Sequence, residues 1–577
     1  MRITNATLSL LLVCLNVSSF AAPSVSPSNC SFASPGAFVA SPMEVHSTHG
    51  TLTVNLTLRS YQTPGHQTRY CYLDDAGNRS PTLRLQPGDL LILHLKNEIS
   101  ATSGADPHHS APSPDDCTTG VVASRATNLH FHGLIIPPAC HQDESLRTWI
   151  LPSQAPFEYR FRIPRDQPPG LYWYHPHVHG HSEEQVLGGA SGAIIVEGVE
   201  QAIPALQSLP QRLLILRDHP VTARVEPDEI GRPAKDVSIN FVPVPYPNYP
   251  TAIIRTKPSR RELWRVLNAS ADTYVDLFVL FDGRFHKLGL TGVDGVPLNY
   301  AGHLTDGIVW QDHIPIPPGG RAEFVFEAPA RGVKAELLTA GVETAPSTDE
   351  DDLPAATNPA APSNNTTQTA QQASAQAVVD NDDYAPPRPL ARIEASGNAA
   401  ELPALPRHSI HPPAPTESSL ASVRPARQRT LYFSETVTDP RNPAASTVFY
   451  ITEEGHTPVA FHSSQPPNIT VPQGTVEDWL IENRSQESHV FHIHQTHFLV
   501  LERDGQKVED GYIQDTIDVP YWDGTSKYPS VKLRMDFRSP QIIGEFPYHC
   551  HILQHADGGM MGLIRVEPAQ SHGTPGK

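Results

Sequence analysis

Basic side chains are the first shortage. The 577-residue chain carries 42 Lys and Arg against 61 Asp and Glu, a formal charge of −19. A nucleic-acid surface needs clustered cations and would have to work against this mean field, so nucleic acid is excluded as a partner. Long apolar runs are also missing. Leu8 to Val17 covers ten residues, about half of the ~20 that cross a hydrocarbon core, so no membrane span is expected. No long stretch keeps a 3.6-residue period, which argues against a helical protein. Methionine is scarce, with five residues. Hydrophobic content is a low 39%, yet the 58 prolines and 37 glycines are unevenly spread, which suggests packed domains joined by disordered stretches. At about 150 residues each, the length predicts roughly three to four domains.

What is present begins with a leader-like N-terminus. Arg2, the short apolar run and Ser19-Phe20-Ala21 predict a signal peptide over 1–21 and an exported protein, secreted or periplasmic. Cys14 would leave with it. In an oxidising compartment four of the remaining five cysteines can form two disulfides, plausibly Cys30 with Cys71 and Cys117 with Cys140, although three pairings are open. Cys550 is left over, between two histidines.

Three segments, 81–98, 252–270 and 466–485, share a proline, a polar turn, an alternating apolar strand and an asparagine. Pro87 to Asn97, Pro258 to Asn268 and Pro472 to Asn483 are spaced 10, 10 and 11 residues apart. The repeat implies an internally triplicated all-β chain. Further strands are expected at Leu93 to Lys96, Phe157 to Ile163, Gly192 to Val196, Leu213 to Leu216 and Ala322 to Phe326. Between 343 and 388 the composition turns to Ala, Pro, Asn, Thr, Gln and Asp. A disordered insertion is expected there, between two halves of a strand pair at Ala335 to Leu338 and Leu390 to Ile393. The Pro-rich stretch 398–427 reads as an inter-domain linker. Sequons occur at Asn55, Asn268 and Asn468.

Histidine is the anomaly, at 29 residues. The most specific window is His549-Cys550-His551, followed by His555 and Met560. Strand side chains alternate, so His549 and His551 share one face while Cys550 takes the other. One tripeptide can thereby serve two metal centres. A thiolate, two imidazoles and a weak axial thioether form the ligand set of a blue-copper site. Cys550, His555 and Met560 supply three members. His489 supplies the second imidazole, offset by an odd number from the same-face pair His492 and His494. That pair then joins His549 and His551 around another centre. His130-Phe131-His132-Gly133 and His175-Pro176-His177 add two more same-face pairs. Eight histidines, four from each end of the chain, are too many for one ion and suit three at a domain interface.

These windows resemble the copper motifs of the multicopper oxidases, the family of laccases, ascorbate oxidase, bilirubin oxidase and ceruloplasmin-like metallo-oxidases. The resemblance runs over residues 45–568, and Trp173-Tyr174-His175-Pro176-His177-x-His179-Gly180 is similar to the bacterial laccase-like branch. It implies an all-β fold of three cupredoxin-like Greek-key β-sandwich domains: 22–200, a copper-free spacer at 201–397, and, after the linker, 428–568 with a tail at 569–577. It also implies four copper ions. Type 1 copper would take His489, Cys550 and His555 with Met560 axial. Type 2 would take His130 and His492, and the type 3 pair His132, His175, His177, His494, His549 and His551.

The implied reaction takes electrons from a small reducing substrate at type 1 copper and reduces dioxygen to water at the trinuclear cluster, with His549-Cys550-His551 as the short covalent route between them. An axial Met560 lowers the type 1 potential. Electron-rich phenols, aromatic amines or dyes are the expected substrates. The reduction consumes protons, and the resemblance suggests an acid in the loop after His130-Phe131-His132-Gly133, at Asp143 or Glu144. The acid that often precedes the last type 1 histidine is replaced by Gln554, so that relay is absent or relocated. His179, His181 and His497 read as supporting or surface groups, and His108 and His109 as loop residues.

Three alternatives stay open. A metallo-oxidase would act on cuprous, ferrous or manganous ions, or the enzyme could be bilirubin-oxidase-like. The methionine shortage disfavours a methionine-rich cuprous oxidase, and the acidic run Asp349 to Asp352 reads as solvating. A non-enzymatic copper carrier would leave eight histidines unexplained, and a copper nitrite reductase needs fewer. A chain carrying both halves of the cluster is expected to act as a monomer.

Overall fold

The computed structural model describes residues 30–569 apart from 64, 101–116, 118–124, 153, 222–232, 301–306, 347–383, 400–418, 440, 442–445 and 509–510. The expected signal peptide, most of the insertion with Asp349 to Asp352, most of the linker, His108 and His109, and nearly all of the tail lie outside the described residues. No helix among the described residues is long and apolar enough to cross a membrane.

The described chain is all-β, and its strands form six sheets, two for each of three sandwiches. The first sandwich packs a four-stranded sheet built on Thr51–Gln62 and Leu90–Glu98 against a five-stranded sheet holding His130–His132 and Gly170–His175. The third packs a seven-stranded sheet around Thr475–Asn483 against a five-stranded sheet holding His489–Ile493 and Gly544–Cys550. Each sandwich buries the apolar residues of its alternating strands, such as Leu91, Leu93 and Leu95 in the first and Trp479 and Ile481 in the third. All five strands expected from alternation are present.

The triplication is explicit in strand pairing. Leu90–Glu98 lies parallel to Thr51–Gln62 and antiparallel to Phe157–Arg162. Arg261–Asn268 has the same relation to Gln211–Pro220 and Arg321–Glu327. Thr475–Asn483 repeats it with Arg427–Val437 and Ser530–Phe537. The terminal asparagines do one job three times. Asn97 donates to the Arg125 and Ile150 carbonyls, Asn268 to those of Thr273 and Ile316, and Asn483 to those of Glu487, Val519 and Pro520. Each amide thus ties crossing loops that would otherwise leave buried carbonyls unpaired. Asn268 is fully buried in this role, which removes it as a glycosylation site in the folded chain.

Ala335–Ala340 pairs antiparallel with Arg388–Ala395, and Val342 bridges Ala385, so the ends of the expected insertion are ordered and adjacent. The last part of the expected linker packs on the third sandwich: Leu420 is buried, and Arg534 donates to the Leu420 and Ala421 carbonyls. Disulfides join Cys30 to Cys71 and Cys117 to Cys140, with Cα atoms 5.8 and 5.7 Å apart. Cys550 is buried and belongs to neither disulfide.

Candidate metal centres

Strand register brings the histidines together. In the first sandwich His130–His132 pairs antiparallel with Gly170–His175, so that His130 faces His175 across the ladder. In the third, Phe491 faces Cys550 and His492 faces His549. The two sandwiches meet histidine to histidine. His130 stacks on His494 with ring centroids 3.6 Å apart, and His132 stacks on His492 at 3.9 Å. Imidazoles from both ends of the chain therefore enclose one small volume.

Donor atoms converge in sets whose members all lie within 4.8 Å: His132, His175 and His551; His177, His494 and His549; His130, His132 and His492; and, on the other face of the Gly544–Cys550 strand, His489, Cys550 and His555. In the last set His489 Nδ1 and His555 Nδ1 are 3.0 Å apart, and Cys550 Sγ lies 3.7 and 3.8 Å from them. Met560 is buried, and its carbonyl accepts from the Cys550 N–H while its own N–H donates to His555 O.

Most of these rings have one nitrogen anchored and the other aimed inward. Anchoring bonds run from His130 Nδ1 to Asp143, His175 Nδ1 to Pro176 O, His492 Nδ1 to Asp515 O and His549 Nδ1 to Cys550 O. His132 is anchored through Nε2, 3.2 Å from Asp515 Oδ1, and His489 Nε2 lies 2.6 Å from Ser485 Oγ. The inward atoms His130 Nε2, His132 Nδ1, His175 Nε2 and His492 Nε2 have no hydrogen-bond partner among the described residues. His549 Nε2 meets only other imidazole nitrogens, His177 Nε2 at 3.2 Å and His494 Nε2 at 3.3 Å.

Buried polar atoms without partners are costly, and lone pairs facing one another are worse. The arrangement is what a soft or borderline cation resolves, and imidazole and thiolate donors suit copper. Nine of the histidines, 130, 132, 175, 177, 489, 492, 494, 549 and 551, have their pKa lowered, with burial the largest cause. Burial thereby favours their neutral form, the one able to donate to a metal.

Of the two acids read from the loop after Gly133, the structure brings one to the cluster. Asp143 touches His130 at 3.0 Å, accepts from the Phe131 N–H and the Gln495 amide, and is pushed up to about 7 by burial. Glu144 turns away and accepts from the Leu146 and Arg147 N–H groups and the Thr148 hydroxyl, because the chain must be capped where it reverses. Gln554 points its N–H toward Asp272, 3.5 Å away. His181 pairs with Glu184 at 3.3 Å, while His179 packs edge-on against Phe461. His497 is buried 3.5 Å from Asp515.

The sequence reading missed Asp515, Arg321 and Gly319. The middle sandwich supplies no histidine to these sets, but it is more than a spacer. Gly319, at φ +81, lies against the His551 ring, where a Cβ would sit 2.7 Å from its atoms. Neither nitrogen of His551 has a hydrogen-bond partner among the described residues, so this backbone contact substitutes for an anchor. Gly319→Ala should push the ring aside and cost roughly 10- to 100-fold in cluster metal affinity, by analogy with loss of a supporting contact. A copper titration followed by type 3 absorption would check it, and an unchanged affinity would count against the contact.

Two family models described as multicopper oxidase match residues 121–201 and 432–570. A multicopper oxidase of Staphylococcus aureus is 39% identical over 94 residues, 16% of this chain and 20% of that protein. An iron transport multicopper oxidase of Gibberella zeae is 25% identical over 226 residues, 37% of this chain and 30% of that protein. The chain thus matches only 20% and 30% of the length of these curated relatives. Solved structures align over nearly the whole chain. A multicopper oxidase variant from Aquifex aeolicus has a TM-score of 0.64 at 18% identity, covering 92% of this chain and 99% of that one. A multicopper oxidase from Campylobacter jejuni titled a metallo-oxidase has 0.63 at 23%, covering 94% and 98%. At such identities the likeness is one of fold. Every histidine and cysteine of the converging sets lies inside the two matched segments, and these two segments are of the multicopper oxidase family.

Proposed function

We propose that the chain is an exported, monomeric, laccase-like oxidase that couples one-electron oxidation of phenols or aromatic amines to reduction of dioxygen to water. In this reading His489, Cys550 and His555, with Met560 axial, hold type 1 copper. His130 and His492 hold type 2, and the type 3 pair is held by His132, His175 and His551 on one side and His177, His494 and His549 on the other. The observation that carries it is the burial of two donor groups back to back on one strand, one on each face of His549-Cys550-His551. Bound copper supplies the one-electron redox chemistry and the dioxygen binding that no side chain here provides.

The chain's own residues do the rest. The peptide units joining Cys550 to His549 and His551 give the shortest covalent link between the donor groups. The ligand imidazoles of both groups are almost inaccessible to water, which keeps the cluster dry and its donors unprotonated. Asp143 holds His130 by Nδ1 and, lying near neutrality, is placed to pass a proton at its carboxyl oxygen. On the outer side, Phe449 stacks on His555 at 4.2 Å and restrains the ring.

A second reading is favoured by one contact. Glu487 lies 3.2 Å from His555 Nε2, and Glu435 beside it is pushed up to about 7 by burial and by Glu487. Two carboxyls at the outer edge of the His555 ring suit a cationic reductant such as ferrous, cuprous or manganous ion, and the relatives named for iron transport and metal oxidation are compatible with it.

The test is a copper count with an absorption spectrum, then steady-state assays of a phenol, a dye and ferrous iron with dioxygen uptake. About four coppers per chain and an intense band near ~600 nm from copper–thiolate charge transfer are expected. A single bound ion, or none, would defeat the oxidase reading. Faster turnover of ferrous iron than of the phenol would favour the second reading over the first.

A further inference from the structure

The carboxylate of Asp515 is fully buried among cluster imidazoles, 3.2 Å from His132 Nε2 and 3.7 Å from His492 Nδ1. Its counter-charge comes from the middle sandwich. Arg321, also fully buried, grips both oxygens in a fork, Nη1 to Oδ1 at 2.7 Å and Nη2 to Oδ2 at 2.6 Å. The same guanidinium donates to Leu171 O of the first sandwich at 3.3 Å and to Gly319 O and Asp294 O of its own at 3.2 and 2.9 Å. One side chain therefore bonds all three sandwiches.

Asp294 completes the clamp. Its carboxylate accepts from the Arg321 N–H through Oδ1, and from the Asp515 and Thr516 N–H groups through Oδ2. Thr516 in turn donates to Asp515 Oδ1 at 2.8 Å, with its hydroxyl 3.3 Å from His132 Nε2 and 3.4 Å from His492 Nδ1. The glycine after His132 fits the same arrangement. A Cβ on Gly133 would lie 2.5 Å from Arg321 Nη2 and 2.7 Å from Asp515 Oδ2.

We propose that Arg321 is a positioning residue for the inter-domain cluster: by fixing Asp515 it sets the ring orientation of His132 and His492, so that the sandwich without metal ligands governs whether the metal group assembles. A forked guanidinium fixes both position and plane of a carboxylate, whereas an ammonium supplies charge alone. Without the fork Asp515 is a buried charge free to turn, and two imidazoles that rely on its side chain and carbonyl lose their aim. The clamp bonds named above run to His132, His492 and backbone groups and not to His489, Cys550 or His555, so the type 1 donors should be spared.

The inference rests on the copper-binding reading above, and its experiment separates the two. Wild-type protein, Arg321→Leu and Arg321→Lys are loaded with copper and compared by copper per chain, the type 2 electron paramagnetic resonance signal and the ~600 nm band, all independent of turnover. Both variants should keep the type 1 band. Arg321→Leu should lose cluster copper, with affinity lowered about 10- to 100-fold, and Arg321→Lys should fall between it and wild type with an altered type 2 signal. A Leu variant with full copper and an unchanged type 2 signal would overturn the proposal. So would loss of type 1 and cluster copper in equal proportion in both variants, since that marks a general folding role. If only the Leu variant fails to fold, the Lys variant decides. Wild-type protein without copper would instead overturn the reading on which the proposal stands.

Discussion

Cys550→Ser should leave a colourless, inactive protein that is still folded and still holds the cluster copper. Cys550 is fully buried, and its Sγ converges with the donor nitrogens of His489 and His555. Serine has nearly the same shape, and its oxygen can still accept from the Val490 N–H, which lies 3.4 Å from Sγ in the native chain. The substitution therefore opens little cavity and orphans no donor, and a stability change of about 1 kcal/mol or less is expected. The electronic consequence is far larger. A hydroxyl is a hard, weakly acidic donor that does not replace a thiolate, so the ~600 nm charge-transfer band should vanish and electron transfer to the cluster should stop. About three coppers per chain, an unchanged circular dichroism spectrum and turnover at background would be the signature. A serine variant that stays blue would show that the thiolate lies elsewhere.

Acid should unfold the metal-free chain unusually steeply. Nine buried histidines are held below the usual range, His175 down to about 3 and His549 to about 4. In the unfolded chain they titrate near 6.5. Below that pH the unfolded state binds more protons than the folded one, so stability is complete above about 6.5 and is lost as the pH falls toward the folded values. Each proton taken up only on unfolding is worth about 1.4 kcal/mol per pH unit. Against a total stability of about 5–15 kcal/mol, nine such groups are decisive.

Eight carboxyls act in the opposite sense: Asp143, Asp272, Asp294 and Glu435, pushed up to about 7, Asp557, pushed up to about 6, and Glu144, Asp276 and Glu323, all raised chiefly by burial, lose their contribution as the pH rises through their folded values. Four more histidines, 179, 219, 286 and 497, are also lowered, and thirteen imidazoles against eight carboxyls leave the acid arm dominant. Bound copper competes with protons for the same nitrogens, so the loaded protein should resist acid further. Denaturant midpoints measured from about pH 7.5 to 5.5 should fall sharply without copper and much less with it. A flat profile for the metal-free chain would contradict the burial of neutral imidazoles.

The convergence of the donor groups was legible in the sequence because strand geometry is periodic. His549 and His551 had to share a face opposite Cys550, and His489 had to differ from His492 and His494. The repeat ending in Asn97, Asn268 and Asn483 was equally visible, since each copy has to solve the same loop-crossing problem. The support of the cluster was not legible. Asp515, Arg321 and Asp294 are ordinary residues in strand and turn contexts, and only tertiary docking brings 294, 321 and 515 to one point. Gly133 was the one local trace of them, a glycine kept free of a side chain because a guanidinium passes there. Glu144 was chosen beside Asp143 because proximity in sequence cannot tell an inward carboxylate from one that caps a turn.

The stacking of His130 on His494 and of His132 on His492 has a thermodynamic corollary. In the proposed reading, the cluster donor sets that draw rings from opposite ends of the chain are complete only in the docked arrangement. Ligation at the cluster and docking are then a single equilibrium, and each cluster ion taken up should strengthen the junction by mass action. In the proposed reading the metal is also a clasp on tertiary structure, and its withdrawal should loosen the junction as well as silence the chemistry.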